Sequence, residues 1–227
     1  MRWARMVLAV VVVLVAAPAW ADFQAGLEAY ERGDYATALT EFRPLAQQGD
    51  ASAQFNLGFM YSKGRGVPQD DAEAVRWYRR AAEQGHAVAQ FSLGVMYSKG
   101  RGVPQDDAEA VRWFRQAAEQ GNAGAQFSLG FMYSKGRGVP QDYAEALRSY
   151  RLAAEQGNAI AQNNLGVMYG QGLGVPQDYV QAHMWVNLAA AQGNEQAQKT
   201  RDRLPKQMTP AQMDEAQRLA REWKPKQ

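Results

Sequence analysis

Apolar and polar positions along this chain fall into two regimes. Met6 to Ala17 is an unbroken apolar run of twelve residues with no charge. From Ala51 onward, apolar residues recur at helical spacing inside a unit that repeats every 36 residues. Residues 51–86 read ASAQFNLGFMYSKGRGVPQDDAEAVRWYRRAAEQGH, and 87–122 repeat them with six changes. Residues 123–158 and 159–194 follow in the same register. Leu57, Leu93, Leu129 and Leu165 keep this spacing, as do Gly58, Gly94, Gly130 and Gly166 and the Val-Pro steps at 67, 103, 139 and 175.

Each unit predicts two helices. Helix A covers Ala51 to about Ser62, with Leu57, Gly58 and Tyr61 on one face. Glycine is costly inside a helix, so its return in every copy predicts the close approach of another helix backbone. Ser62 to Gln69 is a loop broken by two glycines and a proline. Asp70 with Glu73 resembles a capping box that opens helix B, and Asp106/Glu109, Asp142/Glu145 and Asp178/Gln181 stand in the same places. Helix B runs to about Gln84 with Ala74, Tyr78, Ala81 and Ala82 on its packing side, and Gly85 is a left-handed stop. His86 then falls at an N-cap that Asp50, Asn122, Asn158 and Asn194 occupy elsewhere.

One helix pair cannot bury its apolar face alone, but stacked copies can. The expected fold is therefore an all-α solenoid of antiparallel pairs. Both ends need covers. Residues 22–50 predict a shortened helix pair without the long loop. Residues 195–227 predict a terminal helix from Pro210 to about Trp223, started by Thr209, Pro210 and Gln212, with Leu219 and Trp223 turned onto the last repeat.

The run Ala-x-Ala-Gln-x-x-Leu-Gly-x-Met-Tyr-x-x-Gly-x-Gly-Val-Pro-Gln-Asp, closing on Ala-Ala-x-Gln-Gly, resembles the Sel1-like repeat, a relative of the tetratricopeptide repeat with a longer loop. Residues 23–50 resemble a tetratricopeptide-type half-repeat of the kind seen ahead of such arrays in exported bacterial proteins. The resemblance implies right-handed superhelical stacking and a protein-binding role at the cell envelope. Some relatives carry paired cysteines in each repeat and are described as penicillin-binding or β-lactamase-like. This chain has no cysteine, so that activity is not carried over.

Composition narrows the chemistry. Without cysteine there are no disulfides, zinc–thiolate sites, iron–sulfur clusters or cysteine nucleophile. With His86 and His183 the only histidines, no metal or cofactor is expected. The formal charge of +2 resides in Arg2 and Arg5, and the rest of the chain balances at 23 against 23. A neutral chain is a poor nucleic-acid binder, because that affinity comes from neutralised phosphates. No serine begins Ser-x-x-Lys or lies in Gly-x-Ser-x-Gly, and no phosphate-cradling loop occurs.

The expected role is a non-enzymatic scaffold whose partner is a protein or peptide. The runner-up is a hydrolase of β-lactam or cell-wall type. The candidate surface is the concave side of the A helices: Phe55, Phe59 and Lys63; Phe91, Val95 and Lys99; Phe127, Phe131 and Lys135; and Asn163. The alternative for the phenylalanines is contact between neighbouring A helices. The loop cations Lys63/Arg65, Lys99/Arg101 and Lys135/Arg137 are expected as a solvated edge. Trp77, Trp113 and Trp185 share one position and are expected as packing residues. His183 breaks the repeat and is expected as a tolerated edge residue. A deep pocket with converging carboxylates around it would instead favour catalysis.

Arg2 and Arg5, the apolar run and Ala19-Trp20-Ala21 form a secretory signal pattern over residues 1–21. The run is shorter than the roughly 20 residues a membrane span needs, so a periplasmic or secreted location is expected, with no membrane insertion after cleavage. Cleavage after Ala21 should leave a chain that starts at Asp22. N-terminal sequencing of periplasmic protein checks this, and a start at Met1 in the membrane fraction would reveal a retained anchor.

Overall fold

The computed structural model describes residues 21–226. The expected signal segment lies outside them except for Ala21. Among the described residues there are twelve α-helices and one 3-10 turn, with no strand. None of these helices is long and apolar enough to cross a membrane.

The helices come in antiparallel pairs. The leading pair is α1 (Phe23–Glu31) and α2 (Tyr35–Gln47). Four repeat pairs follow: α3 (Ala51–Lys63) with α4 (Asp71–Glu83), α5 (Ala87–Lys99) with α6 (Asp107–Glu119), α7 (Ala123–Lys135) with α8 (Tyr143–Glu155), and α9 (Ala159–Gln171) with α10 (Tyr179–Ala191). Then come α11 (Glu195–Arg201), a 3-10 turn (Leu204–Gln207) and α12 (Pro210–Glu222). From α1 to α11 each helix packs on the next in sequence, within a pair and from pair to pair, which makes the chain an α-solenoid.

Capping residues set the helix starts. Asp50, His86, Asn122 and Asn158 each accept the backbone N–H three residues on. Asp70 and Asp142 each accept two first-turn N–H groups, and Asp106 and Asp178 one. The reciprocal half of a capping box is present at Thr209–Gln212. At Asp70 the expected partner Glu73 turns outward to Arg76 instead. A-helices end on a left-handed glycine, such as Gly64 at φ 65° and Gly100 at φ 62°.

Within a repeat, Leu57, Leu93, Leu129 and Leu165 are buried, as are Met60, Met96, Met132 and Met168. The helix-A glycine does admit a close neighbour, but in the first three repeats that neighbour is chiefly a ring. A methyl on Gly58 would lie 2.9 Å from the Tyr78 ring and 3.2 Å from the Ala74 carbonyl oxygen. Phe114 and Tyr150 fill the same place against Gly94 and Gly130, and Val186 against Gly166.

Between repeats, three ties recur. The first is backbone on backbone. Gly102 sits at φ +68°, and a Cβ there would fall 2.2 Å from the Asp71 carbonyl oxygen. Gly138 and Gly174 press on Asp107 and Tyr143 in the same way. The second corrects the expectation of a solvated cationic edge. Arg101 forks onto Asp71 of the preceding repeat at 3.0 and 2.7 Å, and Arg137 onto Asp107 at 3.0 and 2.8 Å. Arg65 reaches back to the leading pair, where it bonds the Tyr30 hydroxyl and lies over the Tyr30 and Tyr35 rings. The lysines of that strip, Lys63, Lys99 and Lys135, are exposed as expected.

The third tie is a buried glutamine chain. Gln90 donates to the Ala82 carbonyl at the end of the preceding helix B and accepts from Gln120 of its own repeat at 2.7 Å. Gln54, Gln126 and Gln162 repeat the pattern with Gln84, Gln156 and Gln192. Each of these amides adds a second donor to a helix-end carbonyl that already accepts a turn N–H, as Ala82 does from Gly85.

At the C-terminal end the expectation of one terminal helix is incomplete. Asn194, Ala197 and Gln198 of α11 begin a fifth helix A in register, but Arg201 stands where Leu165 would, and the helix stops there. Helix α12 then folds onto α10, with the Trp223 ring edge-on to Trp185 at 6.1 Å. Trp113 and Trp185 are buried and Trp77 half-buried, in line with packing roles.

These contacts rank three substitutions. Leu93→Ala should lose about 2–5 kcal/mol, as for a buried leucine. Gly102→Ala combines a left-handed backbone with overlap on Asp71 and should lose about 3 kcal/mol or more. Gly85→Ala, at φ +87° with nothing within 4 Å of the new methyl, should lose only about 1 kcal/mol. Urea melts of the three decide it, and equal losses at both glycines would remove the inter-repeat contact from the account.

Candidate functional site

The A-helix face gathers some of the predicted residues and separates others. Phe55, Phe91 and Phe127 are half-buried, each against the ring of its own helix B: Tyr78 at 5.8 Å, Phe114 at 5.9 Å and Tyr150 at 5.9 Å. Phe55 also stacks on His86 at 5.0 Å. Phe59 is hemmed in by Tyr30, Lys63 and Arg65, so the leading pair fills the N-terminal end of the strip. Phe91 is covered from the next repeat, where a methyl on Gly124 would meet its ring at 3.0 Å. Asn163, expected on the open face, is buried at 7% exposure with Oδ1 unpartnered. The phenylalanine strip therefore ends before the fourth repeat.

Between α5 and α7 the strip opens into a cleft of about 280 Å³. Val95, Ser98 and Lys99 form one wall; Phe127, Ser128, Phe131 and Met132 form the other, and Phe114 also lines the cleft. The opening has a local cause. Position 59 of the repeat is Phe in the first and third copies and Val in the second and fourth. Val95 is the smaller residue facing the larger Phe131, which leaves space. The walls are chiefly apolar, with the Lys99 ammonium exposed beside them. Ser128 is already committed, donating to the Gly124 carbonyl at 2.8 Å.

A second cleft, of about 420 Å³, lies at the C-terminal end. His183, Asn187, Arg201, Asp202, Pro205, Met213, Gln217 and Arg221 line it. His183 is not the edge residue that was expected. It is 4% exposed, and its Nδ1 has no hydrogen-bond partner. Burial, aided by Arg201, pushes its pKa below the ordinary 6.5, so the imidazole is neutral. The one carboxylate on the wall, Asp202, accepts from the Arg201 guanidinium at 3.1 and 3.0 Å. The converging carboxylates that would favour hydrolysis are not among the residues lining this cleft.

Tandem helix pairs with side-chain clefts on their exposed faces define an α-solenoid of the tetratricopeptide-like class. The profile described as Sel1 repeat matches residues 51–86, 87–122, 123–158 and 159–194, and the chain belongs to the Sel1 repeat family. Its structure is similar to that of a Sel1 repeat protein from Oxalobacter formigenes, at 34% identity and a TM-score of 0.76 over 87% of this chain and 85% of that one. It is also similar, at 31% identity and a TM-score of 0.58, to a protective antigen of uropathogenic Escherichia coli strains displaying an SLR fold, over 88% of this chain and 52% of that one. Among curated proteins, "DAP3-binding cell death enhancer 1" of Rattus norvegicus is 40% identical over 50 residues, 22% of this chain and 10% of that protein. The match thus spans a tenth of that relative's length. Sel1 repeats generally act as protein–protein interaction scaffolds.

Both histidines make stability depend on pH with the same sign. His86 Nδ1 accepts the Ala89 N–H at 3.2 Å, and burial holds its pKa below 6.5 as it does for His183. The unfolded chain therefore binds protons more readily. The contribution is complete above about pH 6.5 and declines as pH falls through the folded pKa values. Melts between pH 7 and pH 5 should show this loss. A His86→Asn, His183→Val double variant should show a flatter profile, and an unchanged slope would assign the dependence to carboxylates.

Proposed function

We propose that this chain is a non-enzymatic, exported scaffold of the bacterial cell envelope that holds a segment of a partner protein along its A-helix face. The observation that carries this reading is the cleft between α5 and α7. Val95, Phe127, Phe131 and Met132 give it apolar walls suited to a branched or aromatic side chain. Lys99 lines it with positive charge that suits an acidic residue beside that anchor, and the equivalent Lys63 and Lys135 are exposed in the neighbouring repeats. A few buried anchors of this kind, each worth about 2 kcal/mol or more, dominate most protein interfaces. The cleft's hydroxyls, Ser98 and Ser128, have no histidine or carboxylate beside them among its lining residues, which favours binding over catalysis. The envelope location rests on the signal pattern at residues 1–21.

The test fills the cleft with the residue that neighbouring repeats already use. Val95→Phe reproduces Phe59 and Phe131 at the same position and should leave helicity and melting unchanged. A photo-cross-linking amino acid at Ser128, on the cleft wall, should yield one discrete protein adduct in intact cells. That adduct should disappear with Val95→Phe and survive Arg112→Ala on the solvent side of α6. An adduct indifferent to Val95→Phe would move the interface elsewhere, and its absence from the periplasmic fraction would remove the envelope assignment.

A further inference from the structure

Five departures from the repeat converge on one place. Where the second and third repeats carry Val111 and Leu147 in the core, the fourth carries His183. Where Arg115 and Arg151 donate to the hydroxyls of Tyr133 and Tyr169 in the next repeat, Asn187 stands opposite Pro205 instead. Where helix A carries Leu165 and Gly166, α11 ends on Arg201 with Asp202 as its C-cap. All five line the C-terminal cleft. The third wall is one face of α12, where Met213, Gln217 and Arg221 stand four residues apart.

We infer that this cleft is a binding site for an organic carboxylate. Two guanidinium groups face one carboxylate, which leaves a single net positive charge on the walls. Arg201 already shares its charge with Asp202, whereas Arg221 is in no ion pair among the described residues. A planar guanidinium matches a carboxylate in geometry as well as in charge. Asn187 and Gln217 add amide donors, and Pro205 and Met213 offer apolar surface to a carbon skeleton. A dianionic phosphate fits less well, because Asp202 would repel its second charge. The volume of about 420 Å³ is within the range of small-ligand sites. Of the five departures, His183 is the buried one. A buried imidazole nitrogen without a partner is a cost that valine at this position does not carry. Because Nδ1 is buried, a ligand in the cleft would meet this ring through Nε2 and would leave that cost in place. The site is separate from the α5–α7 cleft and does not rest on the reading given to it.

The test is an NMR titration of the purified protein that follows the side-chain amides of Asn187 and Gln217. The probes are acetate, succinate, inorganic phosphate, and acetyl-alanyl-alanine with its C-terminus either free or amidated. Saturable shifts with a carboxylate probe at millimolar concentration, and none with the amidated peptide, are expected. Saturation by the small acids identifies a free organic acid as the source; saturation by the free-acid peptide alone identifies a chain terminus. Arg221→Gln, on an exposed side chain, should weaken binding about tenfold, as loss of a charge-assisted hydrogen bond does. His183→Val should weaken it without lowering the melting temperature. Absence of saturation with every carboxylate, phosphate bound as tightly, or binding indifferent to Arg221→Gln would each overturn the site.

Discussion

The contact on which the solenoid depends is a glycine pressed against a carbonyl. Gly102 lies so close to the start of α4 that no side chain fits between them, and Gly138 and Gly174 repeat the approach at α6 and α8. This fixes how far each loop reaches back over the preceding repeat. The arginine one step earlier is then carried to the residue whose backbone the glycine touches, and the Arg101–Asp71 fork follows from that placement. Partly exposed, such a pair adds about 1 kcal/mol or less. The backbone approach sets the geometry, and the ion pair adds direction to it.

Where the ion pair is absent, the glycine contact remains. At the fourth junction Tyr143 and Leu173 replace Asp and Arg, yet Gly174 still meets the Tyr143 backbone. At the first junction Tyr35 stands in the Asp position, and Arg65 lies over its ring while Gly66 abuts its carbonyl. The side-chain pair therefore varies from seam to seam, and the backbone contact does not change. Each repeat answers to its neighbours alone, as expected of a quasi-one-dimensional array. A substitution on the A-helix face can then reshape one groove segment without altering the stacking. Val95 for Phe is such a change.

The fold was legible in the sequence because its signal is redundant. Four copies state each cap, glycine and core leucine, and every helix in residues 51–194 falls within a residue or two of its expected bounds. Contacts that join one unit to another were less legible. Charge runs in loops commonly face solvent, and nothing near Arg101 in the sequence points to another role. Its actual partner Asp71 lies thirty residues behind. The glutamine chain was similarly visible only as a period, since Gln54 and Gln84 give no sign of meeting until the helices are packed. Of the candidate surface, Val95, Lys99, Phe127 and Phe131 line one cleft. Asn163 is buried instead, because helical spacing names a face but not how deeply that face is covered.

The two clefts arise from opposite operations on the same unit. Between α5 and α7 the repeat is intact and a single smaller side chain opens it, so the cavity keeps the apolar character of a seam. At the C-terminal end the repeat is interrupted. Arg201 occupies a position that the array reserves for a buried leucine, and a fifth pair cannot form around it, because a guanidinium cannot be stripped of water without a partner. Helix α12 covers the exposed end from the other side. The space between the truncated helix and its cover inherits polar walls because polar residues ended the repeat. A solenoid that must stop can do so with any polar surface. That the stop here includes a buried histidine, two arginines and two amides around one volume is more than termination requires.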